Sequence, residues 1–391
     1  MLEKREIWID WMRISACFMV IMVHSTEPFY LGGEGTQVLT EGDAWWVAFI
    51  DCLVRACVPL FVVASSYLQF PIHYDTKTFL KRRLVRVVIP LLFWSVIYAL
   101  VCGNPQENLQ DLLWNFNYSA GHLWFVYMIV GLYLLMPMLS GWAERVGKKE
   151  LLFYLSICLF TTLIPQIRTS LSGADVPTIY GPTGIPNPAK YPLWGEASWN
   201  TYGLFYYISG FIGYLLLGLY FRKFVGRPSR KSVLLVGVPS LIVGLLLSAG
   251  GFISEILHTA DGQFPVTGVV GIAAVWETPC VNDAIGIAFM TLGWLIIFRT
   301  IESNGPFFSR VVLPLSRSSY GIYLFHMLLL IQFSPLFRDW LGIGTDGVLG
   351  VWTTPVEILL TAISTFISAG LISKLLRYLN KKVLKIDIFG C

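Results

Sequence analysis

The sequence predicts an all-α polytopic membrane protein of about ten transmembrane helices with both termini in the cytoplasm. Three observations lead there. Apolar residues make up 55% of the 391 and charged residues only 13%, with a mean hydropathy of +0.65. A soluble fold so poor in charge would precipitate, and a disordered chain needs many charges and few aromatics. The apolar residues come in repeated runs of about 20, the length of helix that crosses a hydrocarbon layer roughly 30 Å thick. The basic residues, finally, fall on alternate loops, as short cytoplasmic loops require.

Taken in order, the spans are expected at 7–30, 45–70, 84–102, 120–141, 150–169, 200–220, 232–256, 280–300, 317–337 and 353–375. The first run contains Asp10 and Arg13 and lacks a small-residue cleavage site, so it is expected to stay as a span rather than be removed as a signal peptide. The segment 264–279 is apolar enough to be re-entrant or interfacial, which leaves nine or eleven spans open. An even count puts both termini on one side. The whole chain, 1–391, reads as one integral-membrane domain with a long external loop at 170–199 and a cytoplasmic tail at 376–391.

The basic clusters set the orientation. Lys4 and Arg5, the Lys77 to Arg86 cluster, Arg145 with Lys148 and Lys149, the Arg222 to Lys231 cluster, Arg299 with Arg310 and Arg317, and the tail from Lys374 to Lys385 share the inner face. The outer loops hold only Arg168, Lys190 and Arg338, among acidic residues such as Glu34, Glu41 and Glu107. The net charge of +4 is thus topogenic, and no nucleic-acid partner is implied. The Gly- and Pro-rich loop at 170–199 reads either as a solvated connector or as a sugar-contacting lid. Most of the fourteen tryptophans, including Trp45, Trp46, Trp114, Trp142, Trp199 and Trp352, sit near span ends as interfacial anchors. Seven cysteines without CxxC spacing read as packing residues, and five histidines without HExxH or paired spacing give no metal site. No GxxxxGK[ST] or GxSxG motif is present, which argues against ATP-driven transport and against hydrolase chemistry on those templates.

An ionisable group inside a span costs several kcal/mol unless it is paired or faces a cavity, so each is a functional candidate. The first span holds Asp10, Arg13, His24 and Glu27. Asp10 and Arg13, three residues apart, read as a structural ion pair. Arg13 and His24 lie eleven residues apart, about three turns and roughly 16 Å of rise, and return to nearly the same helix face. Such a line suits a long ligand anchored by phosphate at one end and reacting at the other, the shape of acyl-coenzyme A. A neutral imidazole can take the proton of an attacking sugar hydroxyl. Glu27, one turn on, either orients the His24 ring or is an exposed loop carboxylate. Asp51 and Arg55 in the second span read as a buried structural pair in preference to catalysis. Arg83 and Arg86 share a face at the opening of the third span, and the planar guanidinium fork matches phosphate. The run beginning GHLW places His122 and Trp124 at the outer end of the fourth span, and SRSSYGIYLFH places Tyr320 and His326 in the ninth. A lone histidine in an apolar helix is more often a packing residue than a catalyst, while Ser319, Tyr320 and Tyr323 could bond between helices or to pantetheine amides.

The segments IWIDWMRISACFMVIMVH, VRACVPLFVVASSYL, LKRRLVRVVIPLLFW, HLWFVYMIVGLYLLMP and SSYGIYLFH stand in the order and spacing of membrane acyltransferase family 3, and from residue 7 to about 330 the chain resembles its stand-alone O-acetyltransferase members. In that family a first-helix arginine and histidine with ten residues between them, and an RxxR arginine pair, are regarded as essential; they correspond to Arg13 with His24 and Arg83 with Arg86. The resemblance implies an integral-membrane O-acyltransferase of the bacterial inner membrane. It would move an acyl group, usually acetyl, from cytoplasmic acetyl-CoA to a hydroxyl of a cell-envelope polysaccharide or glycolipid, without a metal. No SGNH domain follows the core as in some relatives. On this reading His24 is the base or acyl relay with Glu27 as its partner. Arg13, Arg83, Arg86 and Tyr320 hold the donor, and His122, Trp124, His326, Asp51 and Arg55 are of second rank, either substrate-contacting or structural. The rival expectation is a transporter of glycan or of an acylated intermediate, in which the arginines select an anion and His24 relays protons; a second is a membrane protein without turnover, whose polar groups only fix helix packing.

Overall fold

The computed structural model describes residues 5–31, 38–112, 114, 120–164, 167, 195, 202–266, 276–342, 348–384 and 387–391. These form helices and turns, with no strand among the described residues. Twelve α-helices of seven residues or more organise them: α1 Ile7–Thr26, α2 Glu41–Val54, α3 Cys57–Gln69, α4 Thr76–Val101, α5 Pro105–Asp111, α6 Trp124–Arg145, α7 Lys148–Thr161, α8 Ile212–Phe224, α9 Val238–Ala260, α10 Ile285–Phe298, α11 Leu313–Leu341 and α12 Thr353–Leu379. Their starts follow from the sequence. Thr40 and Asp43 close a capping box on α2, and Asp75 accepts from the Thr78 amide, 3.0 Å away, to cap α4.

Eight stretches of described helix are long and apolar enough to cross a membrane: Ile7–Phe29, Glu41–Gln69, Thr76–Val101, Gly121–Arg145, Arg230–Ala260, Thr278–Phe298, Phe308–Leu341 and Gly350–Val383. The protein is therefore an all-α polytopic membrane protein. The fifth and sixth expected spans, 150–169 and 200–220, are helical as α7 and α8, but over 14 and 13 residues. At about 1.5 Å per residue neither described helix alone reaches across the hydrocarbon layer. The second expected span is two helices rather than one. Pro59 cannot donate to the carbonyl of Arg55, and its ring crowds that carbonyl, so the chain turns at Arg55 and Ala56 before α3 begins. The break sets Arg55 at a helix end inside the bundle. The loop expected at 170–199 lies outside the described residues except for Gly195, as do 267–275 of the segment expected to be re-entrant.

α1 is the axis of the bundle, packed against α2, α3, α11 and α12. α11 lies along α12, α9 along α10, α8 between α3 and α7, and α6 against α4. Between α9 and α10 the backbones touch. A Cβ on Gly244 would stand 2.4 Å from the carbonyl oxygen of Gly286, and one on Gly293 would stand 2.7 Å from that of Gly237. The members of each pair, Gly237 with Gly244 and Gly286 with Gly293, are two turns apart, so two small-residue notches face each other, the usual means of close helix approach in lipid.

Two charged groups are placed otherwise than expected. Asp10 does not pair with Arg13: Arg5 donates to both of its oxygens at 2.7 Å, and Ser316 of α11 donates to Oδ1 at 2.7 Å. Arg13 instead donates to Ser319 of α11 at 3.1 Å. The segment before α1 supplies Asp10 with a closer arginine, which frees Arg13 to face the interior. Arg299, expected among the topogenic residues, is buried; it donates to the carbonyls of Phe221 and Val225 and lies against the rings of Trp8, Tyr67 and Phe221. It ties α8 to α10. Trp45, Trp114 and Trp352 are exposed, as interfacial anchors require.

Gly244→Val is expected to lower thermal stability in detergent by about 1–3 kcal/mol, through overpacking against the Gly286 backbone. Gly250→Val on the same helix meets open space and should stay within about 0.5 kcal/mol of the parent. Melting curves of the two variants check the contrast, and equal loss in both would refute it.

Candidate active site

The site is built from the inner face of α1. Pro28 cannot donate to the carbonyl of His24, and the helix tightens there into a 3₁₀ turn over Glu27–Phe29. Glu27 consequently stands one turn from His24, with Nδ1 and Oε2 2.6 Å apart. A carboxylate can only accept, so Nδ1 carries the hydrogen and Nε2 presents its lone pair when the ring is neutral. The side chains are 14% and 24% exposed and line two cavities.

Around His24 the structure gathers residues that are far apart in sequence. The ring of His326 lies 5.2 Å from that of His24, the ring of His122 lies 6.1 Å from it, and His122 and His326 are 5.2 Å apart. His326 Nδ1 donates to the Tyr323 carbonyl at 2.6 Å, and its Nε2 is buried without a partner. The hydroxyl of Tyr323 donates to the His122 carbonyl, and Tyr98 donates to that of Leu324, which also lies 3.4 Å from His122 Nε2. The two histidines read from sequence as separate packing residues thus form one cluster with His24. Trp124 lines the cavities at the same place.

At the other end of the α1 face, a cavity of about 260 Å³ is lined by Arg13, Arg83, Arg86, Arg317, Ser319 and Tyr320. A second, of about 350 Å³, shares Arg13 and adds Arg5, Asp10 and Arg222. Basic clusters from four regions of the chain converge here on one end of the bundle. None of Arg83, Arg86 and Arg317 has a hydrogen-bond acceptor among the described residues, so three guanidinium groups open onto one space without a counter-ion. The Tyr320 hydroxyl is spent on the Val87 carbonyl at 2.7 Å, so Tyr320 offers the cavity its ring. The C-terminal residues fold back to this point: Gly321 donates to the Gly390 carbonyl at 2.9 Å, and Gly390 forms part of the wall.

Between the two ends stand three rings, Phe61 of α3, Phe125 of α6 and Tyr323 of α11, with Phe125 6.0 Å from Phe61 and 5.5 Å from Tyr323. These residues line both the arginine cavity and a small cavity of about 70 Å³ that reaches His24, Glu27 and Arg55. Beyond His24 a wider cavity of about 370 Å³ is lined by Glu27, Tyr98, His122 and Trp124. The order along the bundle is arginines, aromatic collar, small cavity, His24, wide cavity.

The expected pair of Asp51 and Arg55 is present and belongs to a larger network. Arg55 donates to Asp51 at 2.7 Å and to Glu277 at 2.5 Å; Thr26 donates to Asp51 at 2.7 Å and Tyr30 to Glu277 at 2.7 Å. Asp51 has 0% exposure. Its ligand atom lies within 4.8 Å of those of Cys52 and Cys280, the one grouping of metal-type donors among the described residues. The sequence spacing gave no hint of that trio, and its carboxylate is already shared by Arg55 and Thr26.

Two functional candidates escaped the sequence reading. Glu277 sits in the apolar segment expected to be re-entrant, and a carboxylate in such a segment was itself the available signal. Arg317 was counted among topogenic residues, and only its place two residues before Ser319 pointed inward. A family model described as an acyltransferase domain matches residues 6–374, a range that contains every residue of the α1 face, the arginine pair and the histidine cluster. No curated protein and no solved structure matches the chain.

Removing one partner of a buried ion pair leaves an uncompensated charge. Asp51→Ala is accordingly expected to lower stability by roughly 3–5 kcal/mol, while Asp51→Asn, which keeps the shape, should cost less. Thermal unfolding in detergent measures both; an unchanged Asp51→Ala protein would mean that the network carries no such strain.

Proposed function

The chain belongs to the acyltransferase 3 family and is a membrane acyltransferase, and from that premise we propose that it moves an acetyl group from cytoplasmic acetyl-CoA to a hydroxyl of a cell-envelope polysaccharide or glycolipid, in the bacterial inner membrane. The observation that carries the reading is the placing of three arginines with no acceptor among the described residues and an imidazole hydrogen-bonded to a carboxylate in cavities that share one set of aromatic rings.

Arg13, Arg83, Arg86 and Arg317 suit the phosphates of coenzyme A, since guanidinium forks bind phosphate oxygens two at a time. The slender pantetheine arm passes the collar and brings the thioester to His24. The acceptor enters the wide cavity, where the Trp124 ring offers a surface on which a sugar can stack. As the acceptor oxygen bonds to the thioester carbon and the carbon–sulfur bond breaks, His24 Nε2 takes the hydroxyl proton and returns it to the departing sulfur. Glu27 fixes the tautomer and stabilises the imidazolium, so it acts as a positioning residue. A covalent acyl-histidine route needs the same free Nε2, and ping-pong kinetics would distinguish it from direct transfer. A transporter could use the same arginines and the His24–Glu27 pair as a proton relay; the family match favours acyl transfer.

Purified protein given radiolabelled acetyl-CoA and an envelope-glycan extract should label the glycan, and His24→Ala should lower the rate by about 10²–10⁴. Unchanged transfer in His24→Ala would remove the imidazole from its role. Coenzyme A should raise the melting temperature, corresponding to about 2.7 kcal/mol at a hundredfold excess over Kd. Arg83→Ala and Arg86→Ala should lose most of that rise.

A further inference from the structure

Resting on the acyl-transfer reading, we infer that residues 387–391 form a clasp on the donor site: they tie α4 to α11 against the repulsion between their arginines, so that seating of the clasp and binding of the donor favour each other. The clasp touches both helices. From α4, Trp94 Nε1 donates to the Phe389 carbonyl at 3.3 Å, and the Phe93 ring meets that of Phe389 edge-on at 5.1 Å. From α11, the Gly321 amide donates to the Gly390 carbonyl at 2.9 Å. Asn380, just past α12, holds the near end: its Nδ2 donates to Asp387 Oδ1 at 2.8 Å, and its Oδ1 accepts from the Ile388 amide at 3.1 Å.

The seat is shaped for this segment. A Cβ on Gly321 would stand 2.3 Å from Cys391 Sγ and 2.9 Å from the Phe389 carbonyl oxygen, so a bare backbone is what lets the segment lie against α11. Gly390 has a φ of +74°, where glycine is favoured, and a Cβ there would stand 2.8 Å from the Tyr320 ring. The position matters as much as the fit. Arg83 and Arg86 of α4 and Arg317 of α11 line one cavity, and Gly390 is part of the same wall. Like charges on two helices push them apart. Tyr320 and Tyr98 link the helices directly, through the carbonyls of Val87 and Leu324, and the clasp adds a further tie beside the arginines. A phosphate group between the arginines replaces repulsion by attraction and takes the load off that tie. By linkage, whatever stability the donor lends the clasp, the clasp returns as donor affinity.

Full-length protein in detergent tests this through two measurements, coenzyme A binding by calorimetry and hydrogen exchange of the peptide that holds 387–391. In the wild type, coenzyme A is expected to slow exchange in that peptide. Gly321→Ala, whose added methyl group meets the clasp and not the cavity, should weaken coenzyme A binding by about fivefold or more, the lower end of ordinary coupling between sites. Deletion of 387–391 should weaken it at least as much. A clasp that only stabilised the fold would lower the melting temperature in both variants and leave affinity and donor protection untouched. Unchanged affinity in either variant, or exchange that coenzyme A does not slow, would overturn the inference and leave acyl transfer standing. Absence of coenzyme A binding by the wild type would overturn the donor reading itself, and the clasp with it.

Discussion

Every charge that this bundle carries into its interior has to be matched by another group or opened to water, because the hydrocarbon surroundings offer no third choice. That constraint explains why α1 is central. Asp10 is held by Arg5 and Ser316, Arg13 reaches Ser319, and Thr26 at the other end donates to Asp51. A helix with polar groups along one face cannot lie against lipid on that face, so α2, α3 and α11 close around it. The hydrogen bonds that α2 and α11 share with α1 fix the rotation of the helix and hence the direction in which His24 points.

The same constraint separates structural charges from chemical ones. Asp51, Arg55 and Glu277 satisfy one another, with Thr26 and Tyr30 taking remaining sites. Such a set is expensive to disturb and has little left to offer a ligand. Arg83, Arg86 and Arg317 are the opposite case: they share a cavity with no acceptor, and like charges so placed favour an anion that can enter and leave. His24 falls between the two, with one nitrogen committed to Glu27 and the other free. A group half held and half available is what proton transfer asks of a base.

Much of this was legible in the sequence, and for identifiable reasons. The helix period alone put Arg13, His24 and Glu27 on one face, and Arg83 with Arg86 on another. Five ordered segments pointed to the family that the match over residues 6–374 shows. What sequence could not supply was pairing across helices. Asp10 seemed matched by Arg13 because both lie in one turn, yet Arg5, reaching forward from the start of α1, is nearer. His122 and His326 read only as second-rank residues, substrate-contacting or structural, because they stand 204 positions apart, and only the packing of α11 against α1 and the turn before α6 brings their rings beside His24. The span expected from 200 begins as a 3₁₀ turn at Gly203–Ile208 and becomes α-helical only at Ile212, a change that hydropathy does not register, while part of the span expected at 150–169 lies outside the described residues.

The collar of Phe61, Phe125 and Tyr323 answers a difficulty that any acyl transfer across a bilayer raises. A donor on one side and an acceptor on the other require a path between them, but an open aqueous path would let ions and protons run down their gradients. Three rings drawn from three helices line the space between the two cavities with apolar surface, which disfavours hydrated ions through their desolvation cost. On the proposed reading, a thin, uncharged pantetheine arm would pass between aromatic faces that a hydrated ion cannot, while the arginines would retain the phosphates. The barrier and the anchor therefore work on different parts of one molecule. The position of Tyr323 makes them interdependent: its ring belongs to the collar and its hydroxyl holds the backbone of His122. A shift of α11 that moved the Tyr323 ring would therefore also strain its bond to the His122 backbone.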